Sequence, residues 1–353
     1  MRVNRVLFAA ALALFAALSA SPAVAWRGEV GWTFRADDGI SSGVAVAGNL
    51  VIAGDRLGKL YAVQKASGVP AWVYTGTNTV VGTPSVMGDK VIFAQGNGAV
   101  TCLALSTGAV VWQYLPPEEG YAAETLADGT AVGDGKVYLA KGDGKLYAIS
   151  ASNGRLVWTH TADQELRNAP AFEAGLVLLG EQNGRFSAID PKTGKRIWGG
   201  GAGGAINTPV VSGGSVFYSS WDGTVQRVRV KGVIPLWKDS KPNVGEPVTT
   251  PPTVGGGRVF VGTANGKIVA LSEENGAILW QFETNGGNVA ARPVLAEGLV
   301  FAGGGDGVLH VLDASSGAER ATLTTGEGIN GTPAFDGGVL YLGSGDGTLC
   351  AIY

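Results

Sequence analysis

Short apolar runs recur along this chain and are separated by turns that contain glycine. Residues 137–158 show the pattern: an apolar run (137–141), Gly-Asp-Gly (142–144), a second run (146–150), an Asn-Gly turn, and a third run that ends on Trp158. Asp-Gly and Asn-Gly between apolar runs are strong hairpin signals, because tight turns need a positive φ that glycine tolerates. The pattern predicts three antiparallel β-strands.

The same pattern is repeated about eight times. The central turn glycines lie 39 to 46 residues apart, and Asn or Asp precedes each of them except Gly58, which follows Leu57. A period in the low forties, built from short strands, is typical of a β-propeller with about four strands in each blade. The glycines are Gly58, Gly98, Gly144, Gly184, Gly223, Gly266, Gly307 and Gly347.

Seven tryptophans keep the same period. Each is predicted to lie in the outermost strand of a blade, where an indole with ~150–250 Å² of surface packs against the next blade beside a glycine that permits close approach. Their expected role is therefore structural. They are Trp32, Trp72, Trp112, Trp158, Trp198, Trp237 and Trp280; Ala321 holds the eighth position, and Trp26 and Trp221 fall outside the register.

The inner strands of each repeat can also be assigned. The third strands are nearly continuous apolar runs, which suits a sheet covered on both faces. The innermost strands are predicted to begin at a proline, where the missing N–H costs no ladder hydrogen bond. The pairs are Thr83-Pro84, Ala169-Pro170, Thr208-Pro209, Pro251-Pro252, Arg292-Pro293 and Thr332-Pro333.

The two ends of the chain are predicted to complete one blade together. The last repeat stops at Tyr353 after its third strand, whereas an additional strand with Trp32 precedes the first glycine turn. If residues 31–34 supply the missing outer strand, the ring closes and exposes no unpaired edge at its ends. The predicted fold class is all-β, an eight-bladed β-propeller that forms one domain over residues 26–353.

The first 25 residues have the composition of a signal peptide. Arg2 and Arg5 precede an apolar run (6–18), and Ala23-Val24-Ala25 resembles a cleavage site. The run is shorter than the ~20 residues that span a bilayer, which argues against the alternative of a retained membrane anchor. We expect cleavage near Ala25 and a mature protein that begins at Trp26, in the periplasm or outside the cell, without a direct membrane anchor.

Charge and cysteine content narrow the range of partners. Without Arg2 and Arg5 the chain has 24 basic and 29 acidic residues, a net charge of −5, and no basic run, so nucleic acid is not an expected partner. The two cysteines, Cys102 and Cys350, fall in interior strands of distant repeats, and we expect buried free thiols rather than a disulfide. A monomer is expected.

No catalytic, metal or phosphate motif is evident. The two histidines, His160 and His310, are interpreted as packed or surface residues rather than ligands. Asp143, Asp222, Asp306 and Asp346 form a repeated carboxylate set, but each precedes a glycine, so turn formation is favoured over the alternative of a calcium site. No catalytic, cofactor-binding or metal-binding residue is predicted.

Several repeats resemble the tryptophan-docking motif of pyrroloquinoline-quinone (PQQ) type propellers, Ala-x-Asp-x-x-Thr-Gly-x-x-x-Trp. The copies with Asn153 and Asn275 match with small changes, the copy with Asp313 has lost its tryptophan to Ala321, and the fifth copy is one residue short. The resemblance covers essentially the whole mature chain. The full match comprises Ala188, Asp190, Thr193, Gly194 and Trp198.

Two branches of that family imply different functions. The quinoprotein dehydrogenases hold PQQ and Ca²⁺ with the help of an adjacent Cys-Cys pair, which this sequence lacks, so PQQ and calcium are not expected. The non-catalytic branch, the BamB-type subunits of the outer-membrane β-barrel assembly machinery, is similar in length, blade count and absence of site chemistry. It differs in the lipid-attachment cysteine that many members carry.

The resemblance therefore implies a non-catalytic scaffold that binds proteins and helps outer-membrane protein assembly. A PQQ-dependent dehydrogenase and an extracytoplasmic sensor or ligand-binding module are the alternatives. Strand alternation places the Asp-Gly turns and the connections between blades on one face, and binding residues concentrate in such loops. On this face we expect an extended or strand-like protein partner, for which addition to a sheet edge is one binding mode. The candidate contact residues are Pro117, Glu118, Glu119, Tyr121, Lys238 and Lys241.

Overall fold

The computed structural model describes residues 26–117, 126–232, 234–237, 242–284 and 286–353, and these residues form 31 β-strands. The additional N-terminal strand is β1 (Val30–Arg35). Units 1 to 4 then follow, and each is an antiparallel meander. Unit 1 is β2 (Ala45–Ala47), β3 (Leu50–Gly54), β4 (Lys59–Gln64) and β5 (Pro70–Thr75); unit 2 is β6 (Val80–Met87), β7 (Lys90–Gln95), β8 (Val100–Ala104) and β9 (Val110–Tyr114); unit 3 is β10 (Leu126–Gly133), β11 (Lys136–Lys141), β12 (Lys145–Ser150) and β13 (Leu156–Thr161); unit 4 is β14 (Ala171–Glu173), β15 (Leu176–Gly180), β16 (Arg185–Ile189) and β17 (Arg196–Gly201).

Units 5 to 8 repeat the arrangement with two variations. Unit 5 has three strands in its sheet, and unit 8 takes its outer strand from β1. Unit 5 is β18 (Val210–Ser212), β19 (Ser215–Ser219) and β20 (Val225–Arg229); unit 6 is β21 (Thr253–Gly255), β22 (Arg258–Gly262), β23 (Lys267–Ser272) and β24 (Ile278–Glu283); unit 7 is β25 (Val294–Ala296), β26 (Leu299–Gly303), β27 (Val308–Asp313) and β28 (Glu319–Thr324); unit 8 is β29 (Ala334–Asp336), β30 (Val339–Gly343), β31 (Thr348–Ile352) and β1.

The innermost strands form a closed cycle. The first strand of each unit contacts the first strand of the next, and β29 contacts β2, so the last unit lies against the first. Units 2 and 3 are also linked by one parallel bridge between Thr83 and Gly129. The structure is thus a β-propeller, as the repeat predicts.

The two ends of the chain pair as expected. β1 runs antiparallel to β31, with Thr33 opposite Cys350. The backbone N–H of Tyr353 also donates to the carbonyl of Glu29 at 2.8 Å. The predicted closure of the last unit by the N-terminal strand is confirmed.

The hydrophobic core lies between neighbouring sheets. All five residues of β3 are buried, as are the four central residues of β12, because each sheet is covered on both faces by adjacent units. Trp112 of unit 2, for example, packs in one cluster with Val137 and Leu139 of unit 3. The continuous apolar runs of the second and third strands follow from this two-sided burial.

Polar side chains near the axis also join neighbouring units. The Nδ2 of Asn168 in unit 4 donates to the carbonyl of Ile206 at 2.8 Å, and that of Asn207 donates to the carbonyl of Val248 at 2.9 Å. Asn207 is buried, so its hydrogen bond satisfies a group that would be costly to leave unpaired.

The prediction that innermost strands begin at proline is correct for units 4 to 8 and wrong for unit 2. There β6 begins at Val80, and Pro84 lies within the strand. The register of β6 against β7 shifts between Val81 and Ser85, so the proline occupies an irregularity where no ladder hydrogen bond is lost.

Candidate functional site: the loop-bearing face

One face of the propeller carries both the Asp-Gly turns and the connections between units. The residue after an outer strand donates its N–H to the carbonyl of the turn glycine in the same unit, as from Gly76 to Gly58 at 3.0 Å and from Ala162 to Gly144 at 2.8 Å. We call this surface, formed by the second-to-third-strand turns and the connections beside them, the loop-bearing face. Its predicted composition is confirmed.

The repeated aspartates form the turns of this face. In Asp143, Asp222, Asp306 and Asp346, Oδ1 accepts the backbone N–H two residues later, at 2.8 to 3.0 Å. Burial of Asp222 opposes its ionisation, but hydrogen bonds from Thr224, Ser220 and Gly203 outweigh that effect, and its pKa lies below the usual value. Within the described ranges, no three His, Cys, Asp or Glu residues are placed to hold a metal ion together.

Trp221 is the most conspicuous apolar side chain of the loop-bearing face, with 53% of its surface exposed. It stands directly before the Asp222-Gly223 turn, where four other units have glycine: Gly96, Gly142, Gly305 and Gly345. The backbone N–H of Trp221 donates to the carbonyl of Ala205, which fixes the backbone of the turn. A rigid exposed indole on a loop surface is the type of side chain that anchors protein interfaces.

Two further apolar residues of this face are exposed. Leu57 stands directly before the turn glycine of unit 1, where unit 5 has Asp222, and is 54% exposed. Leu115, which follows β9, is 60% exposed. The sequence analysis singled out neither of them, nor Trp221, as a binding residue. The available signal was that Leu57 breaks the Asn/Asp rule and Trp221 breaks the tryptophan register.

One of the predicted partner-binding residues can be placed. Pro117 is exposed in the connection that follows β9, and Pro116 beside it is buried. The others, Glu118, Glu119, Tyr121, Lys238 and Lys241, lie outside the described residues, so their role stays a prediction.

Six of the seven predicted tryptophans dock on the next unit through the same contacts. The indole N–H donates to a backbone carbonyl of that unit at 2.8 to 3.1 Å, and the indole covers a glycine at which an added Cβ would lie within 3 Å of the ring. The predicted structural role is correct for these residues. The pairs are Trp32 with Gly68, Trp72 with Gly108, Trp112 with Gly154, Trp158 with Gly194, Trp237 with Gly276 and Trp280 with Gly317.

Trp198 departs from the pattern. It packs partly buried against unit 5, in a cluster with Val228 and Val230, but its indole N–H has no hydrogen-bond partner among the described residues. An added Cβ on Gly232 would meet nothing within 4 Å. The docking predicted for Trp198 is therefore incomplete, because the shortened fifth unit lacks the regular turn that would accept it.

Trp26, which sequence reasoning left without a role, occupies the neighbourhood of the missing eighth tryptophan. Ala321 pairs with Val311 as Trp280 pairs with Ala270. Trp26 packs in the same cluster as Ala321 and stacks edge-on against Phe301 at 5.2 Å. Trp280 lies against the equivalent ring of Phe260 at 5.8 Å. The N-terminal indole thus replaces the side chain that unit 7 lacks.

The substitution Trp26→Ala is expected to lower the free energy of unfolding by about 2 kcal/mol. This loss is smaller than that for a fully buried tryptophan, because the indole is half-buried and its N–H has no acceptor. The double variant Trp26→Ala/Ala321→Trp should recover at least half of the loss, since an indole then enters from unit 7 itself. Urea unfolding followed by circular dichroism measures both. An unchanged stability of Trp26→Ala would refute the replacement.

The cysteines and histidines are packed as expected. Cys102 and Cys350 are free and buried, and burial raises the pKa of their thiols to about 11 and about 12. His310 is buried with its Nδ1 2.7 Å from Glu319 Oε1, and the Nδ1 of His160 lies 2.8 Å from the carbonyl of Gly194. Over the described part of the chain, no helix has the length and apolarity needed to cross a membrane.

Comparison with known proteins agrees with this description. The family model described as outer membrane protein assembly factor BamB matches residues 21–239 and 269–353. The BamB of Escherichia coli K12 is 31% identical over 336 residues, which cover 87% of this chain and 83% of that protein. The BamB of Yersinia pestis is 27% identical over 291 residues, 79% of this chain but 62% of the relative's own length.

Solved structures share the fold. The crystal structure of BamB from Moraxella catarrhalis superimposes with a TM-score of 0.77 at 22% identity, over 92% of this chain and 96% of that one. A quinohemoprotein alcohol dehydrogenase from Comamonas testosteroni reaches a TM-score of 0.73 at 14% identity, over 92% of this chain and 76% of the enzyme. Because scaffold and enzyme both match, the fold alone does not determine the function.

Proposed function

This chain belongs to the family of the outer membrane protein assembly factor BamB, and on that basis we propose that it is a non-catalytic, exported scaffold that binds proteins during outer-membrane protein assembly. The observation that carries the proposal is the match of the BamB family model along most of the chain, supported by 31% identity to the Escherichia coli protein. The absence from the sequence of an adjacent Cys-Cys pair favours the scaffold over a quinoprotein dehydrogenase.

The partner docks on the loop-bearing face in this proposal. A propeller holds its loops on rigid sheets, so contact residues can be fixed in advance of binding at little entropic cost. Trp221 supplies the central apolar anchor. Asn243, which follows Lys238 and Lys241 in the sequence, lies beside the Trp221 turn, because its Nδ2 donates to the carbonyl of Asp222 at 2.8 Å.

The partner is an assembly component with an apolar segment that covers Trp221, flanked by charged groups. The face around Trp221 offers groups of both signs, including Asp222 and the Lys267–Glu246 ion pair of unit 6. These charges set the orientation of the partner more than its affinity, while burial of the indole supplies most of the binding energy.

The substitution Trp221→Ala is expected to weaken binding to purified outer-membrane assembly components roughly ten-fold or more, as for a central aromatic contact. The mature wild-type chain is immobilised and the dissociation constant is measured for each component. Ile197→Ala is the matched control, because Ile197 is equally exposed but lies on the outer strand β17.

Replacing Glu118, Glu119 and Tyr121 together tests in the same assay whether the loop that contains them binds the partner, in which case the affinity should fall. The proposal expects Trp221→Ala to lose affinity while Ile197→Ala keeps it. Unchanged affinity in Trp221→Ala, or equal loss in both single variants, would contradict docking at the loop-bearing face, and absence of binding by the wild-type chain would contradict the function itself.

A further inference from the structure

Arg292 stands apart from its equivalents in the other units. It precedes Pro293 at the start of β25, the innermost strand of unit 7. At the same place before a proline, the other units have Thr83, Ala169, Thr208, Pro251 and Thr332, so a cation replaces a small or neutral residue beside the axis.

The guanidinium is held in place by the neighbouring innermost strand. Its Nε donates to Thr253 Oγ1 of β21 at 3.1 Å. The Thr253 hydroxyl itself donates to the carbonyl of Pro293 at 2.5 Å, which fixes the acceptor. Because the innermost strands form a closed cycle around the axis, a side chain anchored between two of them lies in the inner part of the ring.

The rest of the guanidinium is uncompensated. Arg292 takes part in no ion pair within the described ranges, and its Nη atoms have no protein acceptor there. Neither Nη atom is fully sealed from solvent, so both remain within reach of a ligand. An arginine has five N–H donors, and the structure uses one of them.

This arrangement is electrostatically unfavourable without a counter-charge. Burial lowers the pKa of the Arg292 guanidinium, and Glu173, at the end of β14, opposes that effect from beyond ion-pair distance. Arginine nevertheless stays protonated in proteins, so the inner ring keeps a fixed positive charge whose partial desolvation is not repaid by an ion-pair partner.

We propose that Arg292 is the anchor of an axial anion site, which takes a small molecule or chain end bearing a carboxylate or a phosphate. The planar fork of the guanidinium matches the paired oxygens of either group. Thr253 holds the fork from behind, through Nε, and leaves the Nη side for the ligand. The site lies at the start of the innermost strand of unit 7 and does not include Trp221, and the inference does not rest on the proposed protein-binding function.

The test uses the full mature chain and two probes, inorganic phosphate and citrate. Each probe is titrated while sodium chloride is adjusted to keep the ionic strength constant. The thermal unfolding temperature and the heat of binding are measured. We expect a saturable rise in the unfolding temperature at millimolar concentration with at least one probe. Response to phosphate alone or to citrate alone assigns the ligand to the phosphate or the carboxylate class.

Arg292→Thr introduces the residue that three other units carry at this place, and is therefore expected to fold. It should abolish the saturable response, or weaken affinity about ten-fold or more, as expected for loss of charge-assisted hydrogen bonds. Arg292→Lys should bind more weakly than wild type because the fork is lost. Arg167→Thr, which removes an exposed arginine paired with Glu165, is the control and should respond like wild type.

Two results would overturn the inference. One is a wild-type chain that shows no saturable response to either probe. The other is an undiminished response in Arg292→Thr, which would place anion binding elsewhere on the surface. Nonspecific salt stabilisation is recognised because it does not saturate and affects all variants equally.

Discussion

Replacing Trp112 with alanine is expected to lower the free energy of unfolding by about 3–5 kcal/mol, the range for a buried tryptophan. Its side chain is 7% exposed and packs between units 2 and 3. Its indole N–H donates to the carbonyl of Ala151 at 3.0 Å, and its ring covers Gly154. The substitution removes all three contributions and leaves a cavity between two sheets.

Trp198→Ala is the matched control for that experiment. Trp198 is partly exposed, has no acceptor for its indole N–H among the described residues, and covers no glycine of the next unit. Trp198→Ala should therefore lower the free energy of unfolding by less than half as much as Trp112→Ala does. Equilibrium unfolding in urea, followed by circular dichroism, measures both losses. Equal losses in the two variants would contradict the claim that docking on the glycine and the carbonyl stabilises the contact between units.

The repeat made most of the fold predictable. Turn glycines, tryptophans and apolar runs are local features that can be identified in the sequence. Because each unit repeats the same strand order, an ambiguous strand assignment in one unit can be resolved from the others. The closure by β1 followed from counting, because the last repeat lacks an outer strand and the first has one too many. The misplacement of Pro84 arose because a register shift in β6 depends on pairing with β7, which the local sequence does not reveal.

Departures from the repeat were visible in the sequence, but their meaning was not. Ala321 and Trp26 are separated by nearly the whole chain, and only the closed ring brings them into one cluster. Trp198 matches the motif fully, yet its docking depends on the neighbouring shortened unit. Whether Trp221 and Arg292 are exposed, buried or paired depends likewise on residues far away in sequence.

The candidate site was predicted less completely than the fold. The composition of the loop-bearing face was predicted correctly, since strand alternation alone puts the turns and connections on one side, whereas its role in binding stays a proposal. Individual contact residues could not be derived, because loops between blades follow no repeat. Of the six predicted contact residues, the structure places Pro117, and the role of the set stays a prediction.

The central claim is that the two ends of the chain close the ring, and a disulfide across the seam tests it. Thr33 lies directly opposite Cys350 in the β1–β31 pair. Residues so placed have Cβ atoms about 4.5–5.5 Å apart, close to what a disulfide requires with a small backbone movement. The substitution Thr33→Cys should therefore allow a bond to the native thiol.

The bond should be made during refolding in a glutathione redox buffer. Burial raises the pKa of the Cys350 thiol to about 12 in the folded chain, so it forms little thiolate there and reacts slowly. The closed loop would span nearly the whole protein, and its constraint on the unfolded state should raise the free energy of unfolding by up to about 5 kcal/mol. Thr33→Cys/Cys350→Ser is the control, and should gain no stability.

Peptide mapping by mass spectrometry of refolded Thr33→Cys is the decisive measurement. The account predicts one intramolecular disulfide that joins position 33 to Cys350, and a reduction-sensitive gain in stability. Free thiols at both positions, or bonds to Cys102 or between molecules instead, would show that the N-terminal strand does not pair with the last one.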